Sequence, residues 1–123
     1  MTDIIRSIES RDAFKQMLFN NPGVIILKLG ATWCGPCRQI GQDVHAFFRS
    51  LPQNGTVICG DIDIDTSMDF YSYLKANKRV NGIPVILCYV RGQHHGIIPT
   101  CSITGADKRE LHRFFLHCKE LIN

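Results

Sequence analysis

The sequence predicts an α/β fold, a mixed central sheet of about five strands flanked by about four helices. Three observations predict it. Strand-length apolar runs at 24–29 and 85–90 alternate with stretches whose apolar residues recur at helical spacing. The early strands are joined through helices, which makes them parallel, whereas Arg91-Gly92-Gln93 joins two strands directly and makes that pair antiparallel. The 123 residues, 45% hydrophobic and 20% charged, read as one domain over 1–123. A chain of this length buries roughly two-thirds of its surface on folding, so it needs no disulfide staples.

The elements follow in order. Residues 3–8 read as a short edge strand. Ser10 is a plausible N-cap for a first helix with Ala13, Phe14, Met17 and Leu18 as its apolar stripe, stopped by Asn20-Asn21-Pro22-Gly23. The run 24–29 is a buried strand. Ile40, Val44, Phe47, Phe48 and Leu51 then mark a long second helix. It has Gly41 and no proline in the turn after Cys37, and since glycine kinks a helix less strongly than proline, a rather straight helix is expected. Residues 51–55 form a loop and 56–65 the next strand, whose alternating tail puts Asp61, Asp63 and Asp65 on one face. Those carboxylates lack the glycine and terminal glutamate of a calcium loop, so no metal is expected there.

Residues 67–77 read as a third helix anchored by Phe70, Tyr71 and Leu74, and 85–90 as a strand. A further strand of about 94–102 is interrupted by Pro99, which suits an edge. Gly105 precedes the last helix, where Asp107 and Glu110 have capping-box spacing. Leu111, Phe114, Phe115, Cys118, Leu121 and Ile122 are its apolar face.

The stretch that carries chemistry is Trp33-Cys34-Gly35-Pro36-Cys37, where a buried strand hands over to a helix. Cys34 falls at the helix N-terminus, where unpaired backbone N–H groups and the dipole favour a thiolate. Cys37, one turn on, is within disulfide reach, and Pro36 loses nothing by lacking an N–H in the first turn. Cys-x-x-Cys is also half of a zinc ribbon, but Cys59, Cys88, Cys101 and Cys118 form no second such pair, so a redox role is the reading and no metal or cofactor is expected.

Together Ala31-Thr32-Trp33-Cys34-Gly35-Pro36-Cys37 after an apolar strand, Gly82-Ile83-Pro84, Arg91-Gly92 and Thr104-Gly105-Ala106 resemble the motifs of the thioredoxin family over about the whole chain. The resemblance implies the thioredoxin fold and a thiol–disulfide oxidoreductase. In it Cys34 is the nucleophile, Cys37 the resolving cysteine that forms a disulfide with Cys34, and Gly35 and Pro36 tune the potential. Pro84 would be cis, and Trp33, Gly82, Ile83, Pro84, Gly105 and Ala106 would bind substrate. The implied partners are disulfide-containing proteins and an electron donor of the thioredoxin-reductase type.

The main departure is Lys28. The family usually has a buried aspartate six residues before the first cysteine, often faced by a lysine on the next strand. Here Lys28 holds the first place and Asp61 the second. A charge inside a core needs a partner, so a Lys28–Asp61 pair beneath Cys37 is expected, serving proton transfer or tuning of the thiol. The other cysteines read as buried small hydrophobes, with Cys101 the more exposed. None of the five histidines is placed by spacing as a base.

Net charge is +3, short of a nucleic-acid footprint. Lys75, Lys78, Arg79 and Arg38 read as a solvated surface or as a device steering acidic protein partners. No apolar run reaches membrane-spanning length and no leader pattern stands at Met1-Thr2-Asp3-Ile4-Ile5-Arg6, so a cytoplasmic monomer away from membranes is expected. Lys28 and Gln42 keep open a binding module without turnover, and an oxidase or isomerase of similar fold is a further alternative.

Overall fold

The computed structural model describes residues 3–122; the one-domain reading over 1–123 extends past them at Met1, Thr2 and Asn123. The elements are β1 (Ile4–Ile5), α1 (Arg11–Phe19), β2 (Val24–Gly30), α2 (Gly35–Gln39), α3 (Gly41–Arg49), β3 (Val57–Asp63), a 3-10 turn (Ile64–Thr66), α4 (Met68–Ala76), β4 (Val85–Val90), β5 (Cys101–Thr104) and α5 (Lys108–Ile122). One five-stranded sheet has the order β1-β3-β2-β4-β5. β3 is parallel to β1 and β2, while β4 is antiparallel to β2 and β5. β2 is therefore central and buried along its whole length, which explains its unbroken apolar run.

Strand alternation divides the core between the two faces. Ile25, Leu27 and Leu29 pack with Phe14, Leu18, Phe70 and Leu74 beneath α1 and α4. Val24 and Ile26 pack with Val44, Phe47, Phe48, Leu111 and Phe114 beneath α3 and α5. The same alternation puts Lys28 on the α3 side, directly opposite Asp61 in the parallel β2/β3 register.

The caps read from sequence form. Ser10 Oγ accepts from Ala13 N at 3.0 Å, and an Asp107 carboxylate oxygen accepts from Arg109 N at 2.9 Å and Glu110 N at 3.0 Å.

Three expectations are corrected. The second helix is not straight: it divides at Ile40, which has φ −97° and ψ −2° and closes α2 while opening α3. Gly41 follows that break. Its low helix propensity weakens the continuous form, and the fully buried Ile40 side chain anchors the break in the core. The β3 strand ends at Asp63, whose carboxylate accepts from Asp65 N at 2.9 Å and turns the chain into the 3-10 segment. Asp65 therefore leaves the face shared by Asp61 and Asp63. The strand expected over about 94–102 begins only at Cys101. Before it, Gly96 at φ +58° and a His95–Ile98 bridge form a small loop. Tyr89 O–H pins that loop by donating to Ile97 C=O at 2.8 Å, and Pro99 has no N–H to offer a ladder.

Candidate active site

Cys34 and Cys37 are joined by a disulfide, with Cα atoms 5.2 Å apart. β2 delivers the chain to this end of the sheet, and α2 starts from Cys34 as its N-cap. Cys37 N donates to Cys34 Sγ at 3.2 Å, so the sulfur occupies the place of a capping oxygen. Pro36 lies in the first turn, where its missing N–H costs no bond. Cys37 is the deeper of the two, 2% exposed against 6% for Cys34.

Around Cys34 the rim has two parts. Trp33 is 64% exposed, and its indole N–H donates to an Asp65 carboxylate oxygen at 2.8 Å. The Ile83-Pro84 peptide bond is cis, and Ile83 packs on the apolar cluster that contains Cys34 and Cys37. Gly105 N donates to Pro84 C=O at 2.9 Å, tying the two loops together. Gly105 has φ +100°, a conformation that favours glycine. Beside Gly35 and Gly82 the space where a side chain would start is open. Ala106 stands apart from this group, packed on the opposite core beneath α5.

Behind Cys37 the expected ion pair is present. Lys28 Nζ lies 3.3 Å from one Asp61 oxygen, with side chains 6% and 17% exposed, so Lys28 does not reach out to solvent. A Cβ placed on Gly30 would meet Cys37 Sγ at 3.2 Å and Lys28 Cε at 3.6 Å. Gly30 is thus the thin partition between the Cys37 sulfur and the lysine stem.

Sequence reasoning missed His45. It donates Nε2–H to the second Asp61 oxygen at 2.7 Å, because α3 lies across β3 and presents position 45 to the sheet. The spacing between residues 45 and 61 carries no signal for this; the charged strand residues under an amphipathic helix were the available clue. Arg6 approaches the same oxygen at 3.8 Å. These residues line a groove of about 1150 Å³ that also reaches Cys37, Arg38 and Arg49.

A disulfide stands at the head of a helix, with a cis-proline loop beside it and a charged pair behind it. The thioredoxin family model matches residues 6–115. The chain belongs to the thioredoxin family. Thioredoxin of Bos taurus is 31% identical over 111 residues, covering 88% of this chain and 92% of that one. Thioredoxin of Mus musculus is 30% identical over 110 residues with the same coverage. Among solved structures, a poplar thioredoxin h aligns with a TM-score of 0.68 at 21% identity over 96% of this chain and 98% of that one. Fasciola hepatica thioredoxin gives 0.68 at 21% identity over 92% and 98%; these two show the shared fold. With family and cysteine pair together, the protein is a thiol–disulfide oxidoreductase. Among the described residues no helix is long and apolar enough to cross a membrane.

Proposed function

We propose that this thioredoxin-family protein works as a reductase of protein disulfides, and that the charged cluster behind Cys37 governs the second half of the reaction. The observation that carries the reading is the Cys34–Cys37 disulfide capping α2 above the Lys28–Asp61–His45 cluster.

In the reduced protein the Cys37 N–H and the head of α2 stabilise a Cys34 thiolate. That thiolate attacks a substrate disulfide, forms a mixed disulfide and expels the first substrate thiolate. Cys37 then loses its proton and attacks the Cys34 sulfur. The second substrate thiolate leaves, and the Cys34–Cys37 disulfide holds the pair of oxidising equivalents. Two electrons from a reductase of the thioredoxin-reductase type restore the dithiol.

Lys28 favours the Cys37 thiolate through its charge. Asp61, held by Lys28 and His45, takes the proton directly or through a water in the groove. Trp33, Gly82, Ile83, Pro84 and Gly105 hold an extended substrate segment, with the backbone of Ile83 offered as a pairing edge; Ala106 supports the Gly105 turn. The protein acts as a monomer in a reducing compartment of the cytoplasmic type, where Cys59, Cys88, Cys101 and Cys118 stay free of disulfides.

The test is dithiothreitol-driven insulin reduction. Wild type turns over, Cys34→Ser does not, and Cys37→Ser accumulates a mixed disulfide with substrate. Equal rates for wild type and Cys34→Ser would leave a binding module as the answer.

A further inference from the structure

A second sulfur centre lies on the far side of the sheet from α1 and α4. Cys88 comes from β4, Cys101 from β5 and Cys118 from α5, and their three Sγ atoms lie within 4.8 Å of one another. The convergence is built by the fold. Cys88 and Cys101 are direct partners in the antiparallel β4/β5 register, and α5 lays Cys118 over them as part of its buried face. Cys88 and Cys118 are fully buried, while Cys101 is partly exposed and forms the open side. Nothing in the disulfide chemistry of Cys34 and Cys37 uses these thiols. Their spacing along the chain hides them, since no two are close in sequence.

We propose that Cys88, Cys101 and Cys118 form a binding site for a thiophilic divalent cation of the zinc group, with a solvent water as fourth ligand on the Cys101 side. Sulfur ligands select such ions over magnesium or calcium, which require oxygen. A tetrahedral ion about 2.3 Å from each sulfur sets the sulfurs about 3.8 Å apart, so the trio closes by about 1 Å or less through side-chain adjustment. Charge favours a divalent ion. Three thiolates with a dication leave a net single negative charge in an apolar surrounding, whereas a monocation leaves two. Binding releases the three thiol protons to solvent, with no change of oxidation state.

The experiment uses the Cys34→Ser/Cys37→Ser double variant, reduced with a phosphine, to remove competing active-site thiols. Cd(II) is titrated in and followed by sulfur-to-metal charge-transfer absorption, and Zn(II) is followed by competition and X-ray absorption. The expected result is saturation at one equivalent, three sulfur neighbours around zinc at about 2.3 Å, and affinity at least about tenfold weaker when Cys101→Ser is added. Cys101 is chosen because it is the least buried of the three, and the melting curve of that variant verifies its fold. No saturable absorbance, a zinc shell of oxygen and nitrogen only, undiminished binding in the Cys101→Ser background, or binding of Cu(I) without Zn(II) or Cd(II) would each overturn the site as stated.

Discussion

Lys28 stands in the middle of an apolar strand, where an ammonium demands a partner, and Asp61 supplies it while also contacting His45 and Arg6. The two partners should therefore respond unequally to mutation. Asp61→Asn leaves a 6%-exposed ammonium uncompensated, and should cost about 3 kcal/mol in urea unfolding, as broken buried pairs do. Lys28→Met leaves Asp61 with the Arg6 guanidinium and the His45 N–H donor and should cost less. Equal losses would show that His45 and Arg6 give Asp61 no support. In kinetics, both variants should shift the pH profile of mixed-disulfide resolution while leaving Cys34 attack nearly unchanged. Gly30→Ala should slow the same step, because its Cβ would press on Cys37 Sγ at 3.2 Å. A Gly30→Ala protein with normal resolution would mean that Cys37 has room to move.

Among the elements, strands and caps were legible because periodicity and short-range hydrogen bonds lie within a few residues of sequence. Breaks were less so. The division between α2 and α3 depends on how Ile40 is held by the core, which local propensity does not report. The end of β3 depends on one aspartate turning back on the chain. The late start of β5 depends on Tyr89 gripping a carbonyl eight residues away. The division of the helix gives a stability prediction. Gly41 has a negative φ, and a Cβ added there would meet nothing within 4 Å, so Gly41→Ala should raise stability by about 0.5–1 kcal/mol in denaturant titration. Gly60→Ala should do the opposite, by about 1–3 kcal/mol, because its Cβ would lie 2.8 Å from Leu27 Cδ2 and 3.0 Å from Ile62 Cδ1 in a packed core.

At the scale of the whole molecule, the motifs at 33–37 and 82–84 come together at one pole of the sheet, where Ile83 packs on the cluster that holds Cys34 and Cys37. What escaped was whatever three-dimensional convergence alone creates: His45 above Asp61, and the three sulfurs of β4, β5 and α5. The core also sets the alkaline limit of the fold. Burial pushes the Cys59 thiol up to about 12 and raises the Tyr89 phenol above its ordinary value. Both groups hold their protons more tightly folded than unfolded. Their contribution to stability is complete below the unfolded values near 9 and 10 and is lost as pH rises toward the folded ones. The melting temperature should fall steadily from pH 9 upward, and less steeply in Cys59→Ala; a flat profile to pH 11 would contradict this.

The proposed reaction requires residues 34 and 37 to act as one two-electron couple. The most direct measurement is an equilibrium titration against glutathione or dithiothreitol buffers, with free thiols at 34 and 37 counted by mass after alkylation. The account predicts that both thiols disappear together along a two-electron curve, with a midpoint on the reducing side near the value known for thioredoxins, about −270 mV. Thiols lost independently of each other, or a midpoint near that of the strongly oxidising relatives at about −120 mV, would contradict it.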